Sequence, residues 1–138
     1  MPPKFERAAE RAAAAWLATG LYACLIFAIS AIPHIPVPPK LQMMNADKLF
    51  HMIEYGFFGV LIVRSFGFSF EFPSEFWLGL AALAAGVVYA TTDEFHQKFV
   101  PGRSSDLMDG LADTAGLAAG IALWLFRSGR KTSNDRRG

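Results

Sequence analysis

"LMDGLADTAGLAAGIALWLF", residues Leu107–Phe126, decides how this chain folds. Its two carboxylates, Asp109 and Asp113, fall in the first two turns, and the remainder is apolar. If those acids disqualify it, the chain has two membrane spans; if they mark a polar end, it has four. A helix rises about 1.5 Å per residue, so a stretch of this length covers a hydrocarbon core of about 30 Å. The acids crowd one end only, so the stretch reads as a span entered through a polar mouth. Leu49–Phe70 repeats the pattern, with His51 and Glu54 near its start and Arg64 further on. Ala12–Ile32 and Phe76–Thr92 carry no formal charge at all. Four spans follow, at about 12–32, 49–70, 76–93 and 107–126, with a basic tail over 127–138.

Composition agrees. The 138 residues suit one unit, 1–138, and 53% are hydrophobic against 18% charged, too few charges for an ordinary soluble surface. Mean hydropathy is +0.30. Thirteen phenylalanines against three tyrosines fit a lipid-facing surface. Cys24 is the single cysteine, so there is no disulfide framework. A cleavable leader is the rival reading of the first span, because Lys4, Arg7 and Arg11 precede it. The apolar run exceeds the usual h-region of about 7–15 residues, which favours a retained anchor.

Basic residues set the expected orientation. Lys4, Arg7, Arg11, Arg64, Arg127, Arg130, Lys131, Arg136 and Arg137 fall on one side, and Lys40, Lys48, Lys98 and Arg103 on the other. Positive residues favour the cytoplasm, so both termini are expected inside a bacterial cytoplasmic membrane. Trp16, Trp77 and Trp124 fall at the same ends of their spans, as an interfacial belt requires. The loop "PHIPVPPKLQMMNA" (33–46), with four prolines, is expected to be outside and non-helical, and the stretch Asp93–Gly110 outside as well.

Alternating spans bring the start of the second, the end of the third and the start of the fourth to one membrane face. Those ends hold the unusual side chains. Asp47, His51 and Tyr55 follow at i, i+4 and i+8, with Lys48 and Glu54 beside them; Asp47 also suits a helix cap. Glu94 and Gln97 close the third span at i, i+3. Asp109 and Asp113 open the fourth and continue into Gly116 and Gly120, a small-xxx-small strip for close helix approach. Charged groups in a bilayer are costly and normally face one another, so the packed face is expected to be the polar face. Pro101-Gly102 reads as a turn, and Arg103 after it is placed to pair with Glu94 or Asp109, or to hold a phosphate or carboxylate on a ligand. His96 reads as interfacial.

"DKLFHMIEY" (Asp47–Tyr55) and "DEFHQKFVPGRSSDLMDGLADTAGLAAG" (Asp93–Gly120) resemble the VanZ-like family of small bacterial membrane proteins. The matching positions are Asp47, Lys48, His51 and Tyr55; Asp93, Glu94 and Gln97; Pro101, Gly102 and Arg103; and Asp109, Gly116 and Gly120. The family pattern has Asn four residues after its last Asp, where this chain has Asp113. The family takes its name from a glycopeptide-resistance determinant associated with teicoplanin, so the resemblance implies a cell-envelope role. The site it implies is Asp47, Lys48, His51, Tyr55, Glu94, Gln97, Arg103, Asp109 and Asp113, binding a lipid-linked or peptidoglycan-related molecule beside the lipid bilayer.

Two other readings stand beside that one. An intramembrane enzyme acting on an envelope lipid or phosphate ester would use His51, Glu94 or Asp109 for acid–base work and Arg103 as a phosphate clamp. An accessory subunit would use the polar cluster only to hold helices together. The carboxylates would suit Mg²⁺ or Ca²⁺ better than Zn²⁺, but no compact ligand motif is present and no metal is assigned. The chain has no Gly-rich phosphate loop, no Ser or Cys nucleophile beside His51 and no nucleic-acid module.

Overall fold

A computed structural model describes residues 3–33, 46–102 and 107–135. Four helices follow in order: α1 (Lys4–Ser30), α2 (Ala46–Ser69), α3 (Glu75–Gln97) and α4 (Leu107–Asp135). All four contain a segment long and apolar enough to cross a membrane: Phe5–Ser30, Lys48–Ser69, Glu75–Gln97 and Leu107–Gly129. The two acid-bearing stretches are therefore spans, and the described residues are helical without a strand.

The boundaries differ from the sequence reading at three places. α1 begins at Lys4, because Phe5–Arg11 is rich in helix formers and places Glu6 in the first turn, where the helix dipole favours an acid. α3 runs through Gln97, four residues past the expected end of the span at 93, so Glu94 and Gln97 lie on its last turn as their spacing implies, and His96 lies there with them. α4 runs to Asp135, well past Phe126. The proline-rich loop, apart from its ends, and Arg103 lie outside the described residues, as does the side chain of Asp47.

α2 is the hub. It packs on α1, α3 and α4, while α1 meets α3 only lightly and does not touch α4. Tyr55, Phe58, Ile62 and Val63 of α2 join Ile26, Leu78, Ala82, Ala90, Leu117 and Ile121 in the buried core. The opposite surfaces are apolar too: Leu17, Leu21, Phe57, Val88 and Leu111 are all exposed, as a lipid-facing bundle requires. Polar pairs tie the helices in the interior. The Thr19 and Ser65 hydroxyls lie 2.9 Å apart between α1 and α2, and Tyr89 donates to the Ala23 carbonyl at 2.6 Å.

Aromatics gather at the end that carries the termini. Trp16 Nε1 donates to Ser69 Oγ at 2.8 Å, and its ring tilts against Phe66, which also meets Phe70 and Phe72. Trp124 reaches the α2 side at Gly67. Trp16 and Trp124 thus gather at one end of the bundle, the arrangement an interfacial belt would need. At the other end Gly102 takes φ 80°, the left-handed value that the Pro-Gly turn demands.

Candidate polar site

α2 and α4 both start at the polar end and so run parallel. That direction brings their sequence motifs into register. Lys48 Nζ meets Asp109 Oδ1 at 2.9 Å; one turn deeper, His51 Nδ1 meets Asp113 Oδ1 at 2.9 Å. Below the pairs the backbones close up. A Cβ on Gly116 would collide with the Met52 carbonyl, and one on Gly120 with the Gly56 carbonyl. The contact is reciprocal, because a Cβ on Gly59 would lie 2.6 Å from the Leu117 carbonyl. Two charged or polar pairs above a glycine seam make the packed face the polar face.

Asp113 is 1% exposed, so the position where the family pattern has Asn is a buried carboxylate facing a histidine. An ionised Asp113 can only accept, which places the hydrogen on His51 Nδ1 and leaves Nε2 as the nitrogen able to exchange a proton. The pair satisfies most of what burial demands of each side chain.

The last turn of α3 behaves differently. Glu94 and Gln97, grouped on one face by their spacing, serve different neighbours. Gln97 is buried and donates through Nε2 to Asp93 Oδ2 at 3.0 Å and to Ser30 Oγ at 3.2 Å. Ser30 Oγ in turn donates to Asp93 Oδ2 at 2.6 Å, and Tyr55 OH approaches the same oxygen at 3.5 Å, the outer limit of a hydrogen bond. Three donors therefore converge on one oxygen of a carboxylate that is 3% exposed. The other oxygen, Asp93 Oδ1, is buried with no partner. Glu94 turns instead toward α4, where its Oε1 would lie 3.0 Å from a Cβ built on Gly110. Glu94 Oε1 is likewise buried without a partner. A side chain at 110 would crowd this carboxylate and oblige it to shift by a few tenths of an ångström.

The structure brings Lys48, His51, Tyr55, Glu94, Gln97, Asp109 and Asp113 to one end of the bundle. It separates them into an α2–α4 seam, which Glu94 faces at Gly110, and a hydrogen-bonded α1–α3 cluster, with Tyr55 reaching from the first helix pair to the second. Two members were missed as site residues. Asp93 was visible as an acid ending an uncharged run, four residues before Gln97, which is the spacing of one helical turn. Ser30 carries no local signal; only the packing of α1 on α3 reveals it. His96 packs against Phe27 at 4.2 Å between ring centroids, the rings tilted by 35°, which makes it part of the α1–α3 contact. Among the described residues no group of three or more His, Cys, Asp or Glu is arranged to hold a metal ion.

A family model described as VanZ/LLP1 matches residues 17–128, which takes in the second half of α1, all of α2 and α3, most of α4 and both polar motifs. No curated protein and no solved structure matches the chain.

Proposed function

This chain belongs to the VanZ/LLP1 family, and from that premise we propose that it binds an envelope-linked molecule at the polar end of the bundle, on the outer face of the bacterial cytoplasmic membrane. The observation that carries this reading is the pair of carboxylate oxygens, Glu94 Oε1 and Asp93 Oδ1, buried without partners beside charges that are otherwise paired. Unpaired buried acceptors are rare because each forfeits its hydration, and a ligand donor is one way to recover that cost. The lipid-linked intermediates and peptides of the envelope offer amide, hydroxyl and ammonium donors of the required kind. A role of the glycopeptide-resistance type follows if occupying such a molecule withholds it from a teicoplanin-class antibiotic.

Expression in a glycopeptide-susceptible bacterium tests the reading. The parent chain lowers susceptibility, whereas Glu94→Gln accumulates normally and does not. Parental protein that leaves susceptibility and copurifying envelope lipids unchanged would refute it. Topology is tested separately, in a Cys24→Ser background. Cysteine at Ser104 reacts with an impermeant thiol reagent outside intact cells (after opening of any outer membrane), and cysteine at Ser128 does not.

The enzyme reading is favoured by one observation, the 2.9 Å contact that fixes His51 through Nδ1. A carboxylate that orients a histidine ring in this way prepares Nε2 for acid–base work on a phosphate ester. Turnover of a lipid phosphate ester by purified protein, lost in His51→Gln, would establish it over simple binding.

A further inference from the structure

At the opposite end of the bundle, the first turns of α1 and the last turns of α2 enclose a groove of about 430 Å³. It is lined by Arg7, Ala8, Arg11, Gly67 and Phe68. Arg7 and Arg11 are one helical turn apart, so their side chains lie along one face of α1. Among the described residues no carboxylate pairs with either guanidinium, although Glu6 and Glu10 are their sequence neighbours. A third guanidinium borders the same place. Arg64 Cζ lies 5.4 Å from the centroid of the Phe68 ring, so the ring that lines the groove is flanked by Arg64.

We propose that this groove holds the phosphate headgroup of an anionic phospholipid, a site independent of the polar end. Guanidinium forks match phosphate oxygens two bonds at a time, and two forks one turn apart can grip a single phosphate from both sides. Arg64 sits further into its span than the other two and can reach the interface by extending its stem along apolar surface. The lipid, and not a free anion, is the occupant because of what surrounds the cations. Ala8, Gly67 and Phe68 give the groove an apolar flank, and Phe68 is 40% exposed. The groove opens where two candidate membrane spans end, beside the Trp16–Ser69 contact that marks the interface. Basic pockets between spans are a recurring way to hold anionic headgroups.

The test measures thermal unfolding of the full chain in detergent with added phosphatidylglycerol or phosphatidylcholine. Phosphatidylglycerol is expected to raise the midpoint by several degrees more than phosphatidylcholine does. In the double variant Arg7→Gln/Arg11→Gln, most of that difference is lost, and Arg7→Lys/Arg11→Lys keeps only part of it because the forks are gone. Arg127→Gln/Arg130→Gln removes the same charge from the same end and leaves the difference intact. Equal loss in the two Gln doubles would mean diffuse surface charge and overturn the site. A midpoint shift of the same size from inorganic phosphate alone would make it a free-anion site and overturn the lipid. Equal shifts from the two lipids with parent protein would leave no headgroup site at all.

Discussion

The seam between α2 and α4 and the last turn of α3 use the same residue types for opposite ends. In the seam each acid has a basic partner: Asp109 has Lys48 and Asp113 has His51, both at 2.9 Å. In the α3 turn the acids have none of opposite sign among the described pairs, and Asp93 and Glu94 each keep one buried oxygen without a partner. The first arrangement joins helices; the second leaves two buried acceptors without a hydrogen-bond partner. The seam is built as a clasp between helices, and the α3 turn is where the proposed ligand reading has its support.

The largest effect expected from that contrast is at the seam's backbone contact. Gly120→Val puts side-chain carbon where the Gly56 carbonyl stands, and a carbonyl cannot rotate away as a side chain can. Overpacking costs about 1–3 kcal/mol and occasionally more, and this substitution belongs at or above the top of that range. Loss of accumulation, or a strongly lowered unfolding midpoint in detergent, checks it; parental stability would mean that α2 and α4 are not in contact there.

Next in size is the buried pair. Asp113→Leu leaves His51 facing an apolar side chain and is expected to cost about 3–5 kcal/mol, as for one partner removed from a well-buried pair. Asp113→Asn keeps an acceptor for His51 Nδ1 and restores the residue of the family pattern, so its cost should stay near 1 kcal/mol, the worth of an ordinary hydrogen bond. Thermal unfolding of both beside parent protein measures the gap, and equal destabilisation would show that charge, not hydrogen bonding, holds the seam.

Glu94→Gln sharpens the comparison from the other side. Its carboxylate has no salt-bridge partner among the described residues, and Gln keeps an oxygen for the Gly110 backbone N–H, so stability should remain within about 0.5 kcal/mol of parent while the envelope phenotype disappears. A destabilisation matching that of Asp113→Leu would place Glu94 in the clasp after all. The smallest effect is expected at Gly20, where a Cβ would meet nothing within 4 Å. Gly20→Ala should be neutral or stabilising by up to about 1 kcal/mol, through helix propensity alone. A marked loss there would mean that a helix not seen in the monomer packs on α1.

Much of this was legible along the chain because membrane insertion penalises charge at each position. A run of apolar residues with acids confined to one end can be placed in a bilayer only one way, so Leu107–Phe126 declared a fourth span without any neighbour in view. The i, i+4 spacings of Asp109–Asp113 and Gly116–Gly120 likewise announced one continuous face, and α4 packs by that face on α2. The spacing of Glu94 and Gln97 was a poorer guide. Residues three apart diverge enough for one to turn toward α4 and the other toward α1, and no one-helix argument can tell which neighbour stands on each side.

The sequence by itself determined the four helices and the end at which their polar groups collect, since hydrophobic length and charge position are properties of each segment alone. Tertiary structure decided the partners: His51 with Asp113, Lys48 with Asp109, Ser30 with Asp93, and two carboxylate oxygens with nothing. The physical reason is distance. A hydrogen bond is made or lost within a few tenths of an ångström, and that separation depends on how closely glycine lets two helices approach.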